Sequence, residues 1–221
     1  MQRAQAEVVE IHLTGSGDTA VRLISPPALT PAPGQFVMAL NPPDLATCRT
    51  ALFPCAIHAD GLSTLMAPDR WRPGDSLDLL GPSGHGFNAP TSGRWLIASN
   101  LSQMLSLGPL IDLGLKRSAE IAYWGPNNPD LNPAVEVILD LGEGLKWADY
   151  AACETNLDML AALKSAWSRL EPQPAIEILI MADLPCGFGA CQACATPLKR
   201  GYKLACVDGP VFGADELGPG W

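Results

Sequence analysis

Four of the chain's seven cysteines lie in one short run near its C-terminal end, in the stretch LPCGFGACQACATPLKRGYKLACVDGPVF, residues 184–212. Their spacing is C-x4-C-x2-C, followed after eleven further residues by the last of the four. They are Cys186, Cys191, Cys194 and Cys206. A thiol run this dense constrains the fold strongly, because the side chains of metal-binding cysteines must all meet at one place.

The bulk composition decides between a disulfide framework and a metal or redox site. No apolar run is long enough to span a membrane, and the start, MQRAQAEVVEIHL, lacks a basic region followed by an apolar signal core. We therefore predict a cytoplasmic protein, in which thiols stay reduced and an odd number of cysteines favours a metal or redox site. The net charge of -9 and the absence of a basic run exclude nucleic acid as a partner.

The spacing of the first three cysteines reproduces the start of the plant-type pattern in which four thiolates hold a [2Fe-2S] cluster. Gly187 and Gly189 are predicted to adopt positive φ, so that the loop wraps the cluster and directs backbone N–H groups at its sulfurs. Phe188 is expected to shield one side from water. A structural zinc site that uses the same four sulfurs remains an alternative.

Upstream of the cysteines, the chain shows two successive patterns. Short strands separated by turn residues fill the first part and predict an antiparallel barrel or sandwich; they are AEVVEIHL, TAVRLIS, QFVMAL and DSLDLLGP. From about residue 93, buried strands alternate with helices, which predicts a small parallel α/β layer. The strands are RWLIAS, EIAYWG, AVEVILDL and AIEILIM, and the helices are SQMLSLGPLIDLGL and NLDMLAALKSAWSRL, the latter after a capping pair of Thr155 and Asp158.

We therefore predict a protein with mixed α and β structure in three parts. An antiparallel β-barrel occupies residues 1–90, a small α/β domain 91–182, and a [2Fe-2S] subdomain 183–221.

The stretches CGFGACQAC and GYKLACVDGPVF resemble the C-terminal segment of the electron-transfer subunits of dihydroorotate dehydrogenase B, which are ferredoxin-reductase-like flavoproteins. The resemblance implies the same three parts along the whole chain, with a barrel of the FAD-binding type at residues 1–90 and a nucleotide-binding-like α/β domain at 91–182. It also implies a role in pyrimidine biosynthesis, in which NADH reduces FAD, the cluster carries single electrons, and a partner subunit with FMN oxidises dihydroorotate to orotate. The four cysteines match the family's cluster ligands. Gly61, Leu62 and Ser63 stand where a loop that contacts the FAD phosphates is expected.

Three departures from the family pattern concern the cofactors. Phe53-Pro54-Cys55-Ala56 replaces an Arg-Pro-x-Ser stretch whose arginine pairs with the FAD pyrophosphate, and Arg49 is a nearby candidate substitute. The stretch 98–103 lacks the glycine-rich turn that lets a helix N-terminus approach a pyrophosphate. Glu154 replaces the glycine of a Cys-Gly-Pro stretch and places a carboxylate near the phosphates. We expect that NAD binding has been lost, and that FAD is a second candidate cofactor.

The sequence thus predicts an electron-transfer subunit with a [2Fe-2S] cluster and no catalytic residues of its own. It would be a component of an oxidoreductase, in a hetero-oligomer with a catalytic flavin dehydrogenase subunit or another redox protein. Two alternatives remain open at this point. One is an NADH-dependent reductase that keeps FAD and the cluster, and the other is a non-catalytic assembly subunit braced by a cluster or zinc.

Overall fold

The computed structural model describes residues 1–42, 48–65, 67–101, 106–155 and 157–218, and it leaves the side chains of residues 155 and 157–159 undescribed. The first part is a curled antiparallel half-barrel of seven strands in the order β4-β3-β7-β1-β2-β6-β5. The strands are β1 Gln2–Leu13, β2 Thr19–Ile24, β3 Phe36–Leu40, β4 Thr50–Leu52, β5 Ala56–His58, β6 Gly61–Thr64 and β7 Ser76–Ser83. A 3-10 turn at Pro27–Leu29 follows β2.

The alternation of apolar and polar residues along these strands produces the inner face of the half-barrel. In β1 and β2, for example, Val8 and Leu23 point inward and pair directly across the ladder. They join a buried cluster that also contains Leu62 and Trp71. The barrel predicted from the sequence is therefore confirmed in its antiparallel order and its core.

The second part is a six-stranded sheet in the order β10-β9-β8-β11-β12-β15, parallel except at β15, which comprises Val211–Gly213. Its elements are β8 Arg94–Ser99, α1 Gly108–Lys116, β9 Glu120–Trp124, β10 Glu136–Val137, α2 Leu141–Trp147, β11 Tyr150–Thr155, α3 Leu157–Trp167 and β12 Ala175–Ile180. Strand order reverses between β8 and β11, because the chain runs outward from β8 to β9 and β10 and then returns to place β11 and β12 on the other side. This reversal is the topological switch point, where open α/β sheets bind ligands.

Two sequence predictions in this part are wrong in their extent. The stretch AVEVILDL was predicted as a buried strand, but only Glu136 and Val137 pair, at an exposed sheet edge, and α2 begins at Leu141. The helix begins there because Asp140 caps it, with its side chain accepting from Glu143 N at 2.9 Å. Helix α1 likewise begins only at Gly108. The capping pair predicted at Thr155 and Asp158 lies outside the described side chains.

The cysteine segment forms a hairpin of β13 Ala195–Leu198 and β14 Gly201–Leu204, and then β15 Val211–Gly213. Strand β15 pairs antiparallel with β12 and so returns the segment to the edge of the α/β sheet. Cys194 and Cys206 belong to the same buried cluster as Phe36 of the half-barrel and Ile178 of the sheet. One continuous core therefore joins all three parts.

Candidate metal centre and cofactor cavities

The four predicted ligands come together in two pairs at the base of the β13–β14 hairpin. The Sγ atoms of Cys186 and Cys191 are 3.2 Å apart, and those of Cys194 and Cys206 are also 3.2 Å apart. These separations are far longer than a disulfide bond of about 2.05 Å. They approach the separation of about 3.7 Å expected for two thiolates bound tetrahedrally to one metal at about 2.3 Å.

The arrangement of the sulfurs in two pairs bears on the kind of metal centre. A structural zinc ion takes four ligands around one centre. A [2Fe-2S] cluster instead has two irons with two cysteines each, so two sulfur pairs fit it.

The loop between the first two cysteines has the backbone conformation that the sequence predicted. Gly187 and Gly189 have φ values of +72° and +85°. A Cβ on Gly187 would approach the Met38 side chain to 2.5 Å, so this glycine also lets the loop pack on β3. Gln192, which sequence reasoning missed, adopts φ +60° beside Cys191. The loop is therefore wound tightly around the sulfurs by three left-handed residues.

Backbone N–H groups are directed at the sulfurs. Burial raises the pKa of Cys186, but hydrogen bonds from the backbone of Phe188 and Cys191 outweigh it and lower that pKa to about 6. At Cys206, burial and the adjacent thiol raise the pKa to about 12, opposed by the backbone N–H of Gly189. The N–H donors surround the sulfurs as an anionic cluster requires.

Asp208 has a structural role that sequence reasoning missed. Its side chain accepts from Leu204 N at 2.9 Å, and its own N–H donates to the Leu204 carbonyl at 2.7 Å. These two bonds close the turn that carries Cys206. The sequence signal is an aspartate two residues after the ligand, a residue type that commonly bonds nearby backbone in turns.

One side of the candidate centre faces solvent. Cys194 and Cys206 are buried, whereas Cys191 is exposed and Cys186 is half-buried. Phe188 was predicted to shield this side, but the loop projects its ring outward and leaves it 55% exposed. Val207, which lies against Gly189, is also exposed. We call Phe188 and Val207 the apolar patch.

The structure places the predicted FAD contacts Gly61, Leu62 and Ser63 in strand β6, not in a loop. A Cβ on Gly61 would lie 1.9 Å from the Leu23 carbonyl oxygen, so glycine is required there by the neighbouring strand β2. Leu62 is fully buried in the half-barrel core. Of the three, Ser63 lines a cavity, where its hydroxyl and His58 Nε2 are 2.8 Å apart.

That cavity, of about 750 Å³, lies between the half-barrel and the start of the α/β sheet. Its volume is within the range of small-molecule and cofactor sites. Its lining includes the carboxylates of Glu10, Asp112 and Asp130, and Arg22 in the same lining pairs with Asp60. Such a lining fits a ring system better than a doubly charged pyrophosphate, because like charges repel at close range.

Phe53 and Arg49, which stand at or near the altered arginine motif, both make contacts inside the half-barrel. Phe53 is buried and its ring packs against Phe36 at a centroid separation of 5.4 Å. The Arg49 guanidinium donates to the carbonyl of Asp78 at 2.6 Å and to its carboxylate. Arg49, which the sequence offered as a substitute phosphate ligand, is therefore bound within the half-barrel.

The bond between Arg49 and Asp78 leads to a prediction on pH dependence. Asp78 also accepts two hydrogen bonds from Arg3, and these bonds lower its pKa despite burial. An aspartate with a lowered pKa stabilises the folded protein at pH values above its unfolded-state pKa of about 3.9. This stabilisation is lost as the pH falls through the lower pKa of the folded state. Asp78→Asn should therefore cost about 2 kcal/mol at pH 7, measured by denaturant unfolding, with a smaller difference below about pH 4.

Asp60→Asn is the matched control for this measurement. Asp60 is half exposed, and its partner Arg22 is also partly accessible to solvent. Its loss should cost less than about 1 kcal/mol. Equal effects of the two substitutions would contradict the importance assigned to Asp78.

Glu154 lies at the carboxyl end of β11 and is completely buried. The structure brings it together with Ser99 at the end of β8 and with Ser106 just before α1. Sequence reasoning identified the glutamate but missed both serines, which carry no motif in this stretch. Of the predicted stretch 98–103, residues 102 and 103 lie outside the described residues.

Comparison with known proteins finds similarity to one family. Residues 181–218 match the family described as the iron-sulfur cluster binding domain of dihydroorotate dehydrogenase B. The chain is 25% identical over 224 residues to the dihydroorotate dehydrogenase B (NAD(+)) electron transfer subunit of a Geobacillus species, covering 84% of this chain and 86% of the relative. It is 29% identical over 177 residues to the subunit of the same name from Geobacillus thermodenitrificans, covering 66% of each chain.

Solved structures agree with the fold described above. One neighbour comes from a structure reported as an NADH-dependent reduced ferredoxin-NADP oxidoreductase, with a TM-score of 0.77, 17% identity, and coverage of 96% of this chain and 89% of that chain. Phthalate dioxygenase reductase has a TM-score of 0.57 at 9% identity, with 93% and 94% covered. At these identities the likeness shows the fold alone. Within the described residues, no helix has the length and apolar character needed to cross a membrane.

Proposed function

We propose that the chain is a divergent member of the dihydroorotate dehydrogenase B electron-transfer subunit family and that it holds a [2Fe-2S] cluster through Cys186, Cys191, Cys194 and Cys206. It exchanges single electrons with a catalytic flavin dehydrogenase subunit in a hetero-oligomer. The observation that carries the proposal is the arrangement of the four sulfurs as two pairs at 3.2 Å. The partner that the family suggests is a dihydroorotate-oxidising subunit.

The cluster would supply one-electron transfer, and the chain's own residues would place it and limit its contact with water. Cys194 and Cys206 attach it to the buried core that joins the three parts. Cys191 brings its other side to the surface, beside the apolar patch. A partner that covers this patch would exclude water from the shortest electron path. The proposal includes the domain boundaries after residues 90 and 182. It also includes a cytoplasmic location, because reduced thiols suit that compartment.

FAD is the second candidate cofactor, and the 750 Å³ cavity is where it would bind. The cavity has room for a flavin ring near Cys55, Ala56 and Ser63, whereas its carboxylates disfavour the pyrophosphate. Heating the purified chain and measuring the released flavin tests whether the protein binds FAD. Stoichiometric flavin would show that the cavity holds FAD in spite of its charge.

A direct test of the proposed function uses electron delivery by the partner. The anaerobically purified chain is mixed with the dihydroorotate-oxidising flavoprotein subunit of the same organism, and dihydroorotate is added. We expect the visible absorption of the cluster to bleach only when both proteins are present. A chain that carries its cluster and stays oxidised in this mixture would exclude this partner.

Phe188→Glu should weaken the same reaction without disturbing the cluster. The side chain is exposed, so the substitution leaves the core intact, but a charge at the centre of an apolar contact costs about 1–3 kcal/mol of association. The apparent dissociation constant for the partner, measured from the bleaching rate, should rise about tenfold or more. The visible spectrum should be unchanged.

Leu139→Glu provides the control for a new surface charge. Leu139 is 94% exposed and follows β10, at the opposite edge of the sheet from β15. Its substitution should leave the partner affinity at the parent value. If both variants behave like the parent, the apolar patch does not bind the partner.

A further inference from the structure

The ligand crevice of the α/β sheet contains a side chain of the protein itself. The switch point lies between β8 and β11, where the loops after the two strands part in opposite directions and leave a crevice for ligands. Ser99 is the last residue of β8, and Glu154 pairs with it in the parallel ladder between β8 and β11. The Glu154 carboxylate is thus located at the crevice and has no solvent exposure.

The carboxylate is bound in the way that a phosphate is bound in such crevices. Its Oε2 accepts from Ser106 N at 3.0 Å and from Ser106 Oγ at 2.7 Å, and its Oε1 accepts from Ser99 Oγ at 3.1 Å. Ser106 lies two residues before the nine-residue helix α1. Backbone N–H groups and hydroxyls that precede a helix are the usual donors to nucleotide phosphates.

The backbone is closely packed at Ser99 and at the start of α1. A Cβ on Gly125, after β9, would lie 2.5 Å from the Ser99 carbonyl oxygen. A Cβ on Gly108, the first residue of α1, would lie 2.1 Å from the carbonyl oxygen of Cys55 in the half-barrel. The start of α1 therefore packs on the half-barrel.

The side chain of Tyr123 is a neighbour of the Glu154 carboxylate. Burial first, and the Glu154 carboxylate second, raise the pKa of Tyr123 to about 12. The Tyr123 hydroxyl donates to the carbonyl of Pro126. A second anion in this crevice would be repelled by the Glu154 carboxylate, because the buried surroundings screen that charge poorly.

We propose that Glu154 acts as a built-in anion that occupies the phosphate position at the switch point and excludes pyrophosphate-bearing nucleotides from the α/β domain. This inference deepens the proposed function and rests on it, because it specifies that electrons enter the chain from a protein partner and not from a nicotinamide nucleotide. Ser99 and Ser106 are positioning residues that hold the carboxylate in place.

The test measures NADH binding to the full chain by fluorescence, with inorganic pyrophosphate as competitor. The parent protein should show no saturable binding at millimolar NADH. Glu154→Ser removes the charge and vacates the donors of Ser99 and Ser106, and should bind NADH at least about 100-fold more tightly than the parent, since a buried like charge is removed. Pyrophosphate should displace that NADH.

Glu177→Ser is the matched control. Glu177 is on the adjacent strand β12, but its carboxylate accepts from Tyr150 OH at 2.6 Å, at the other end of β11. Removing this carboxylate should leave NADH binding undetected. A gain equal to that of Glu154→Ser would mean that net charge alone, and not the position of Glu154, excludes the nucleotide.

Besides an equal gain in the control variant, two outcomes would overturn the proposal. One is saturable, pyrophosphate-sensitive NADH binding by the parent protein. The other is a folded Glu154→Ser protein, verified by circular dichroism and its visible spectrum, that gains no binding; Glu154→Gly takes its place if the serine variant does not fold. The measurement involves neither a partner nor reduction of the cluster, so its failure is distinguishable from failure of the proposed function.

Discussion

Cys191→Ala is expected to abolish the visible absorption of the anaerobically purified protein and to lower its iron content from about two atoms per chain to a small fraction of that value. The reason is geometric. Cys191 and Cys186 form one of the two sulfur pairs, and alanine would leave the iron of that pair with a single protein ligand. Since Cys191 is exposed, its truncation opens no core cavity, and the effect should be confined to the cluster.

Cys48→Ala is the matched control, because Cys48 is also exposed and belongs to neither sulfur pair. It should retain the parent's iron, spectrum and melting temperature. Iron and colour that survive in Cys191→Ala would remove this residue from the ligand set. A colourless parent protein with one zinc per chain would instead establish the mononuclear alternative.

Gly61→Ala is expected to cost about 3 kcal/mol of folding free energy, which lowers the melting temperature by about 10 °C for a chain of this length. The added Cβ would lie 1.9 Å from the Leu23 carbonyl oxygen, and that oxygen belongs to a paired backbone strand that cannot move alone. The destabilisation should be the same with or without added flavin. Thermal unfolding followed by circular dichroism measures it.

Gly17→Ala separates steric from conformational cost in this experiment. Gly17 has φ +87°, but no atom lies within 4 Å of the position that an alanine Cβ would take, so alanine there should cost only about 1–2 kcal/mol for the left-handed backbone. A Gly61→Ala protein that melts like the parent but has lost bound flavin would support the phosphate-contact role predicted from the sequence. A melting temperature no lower than that of Gly17→Ala would contradict the packing role.

Local sequence patterns were sufficient to predict those structural features whose contacts are between residues close in sequence. Strand β8 at Arg94–Ser99 and the positive φ values of Gly187 and Gly189 follow from residues within a few positions. The exposed position of Phe188 did not follow, because it depends on how the loop lies against Met38 and Val207. The end of the predicted strand AVEVILDL was also missed, since the cap at Asp140 competes with the apolar pattern.

The sequence by itself determined which four cysteines cluster near the C-terminal end and the order of half-barrel, α/β layer and cysteine hairpin, because spacing and periodicity are local properties of a chain. Only the tertiary structure decided that the sulfurs form two pairs, that Gly61 serves strand packing, and that Ser99 and Ser106 bind Glu154. Those facts rest on contacts between residues up to 55 positions apart. Such contacts depend on the register of parallel strands and on the packing of the half-barrel against the sheet, which no short stretch of sequence specifies.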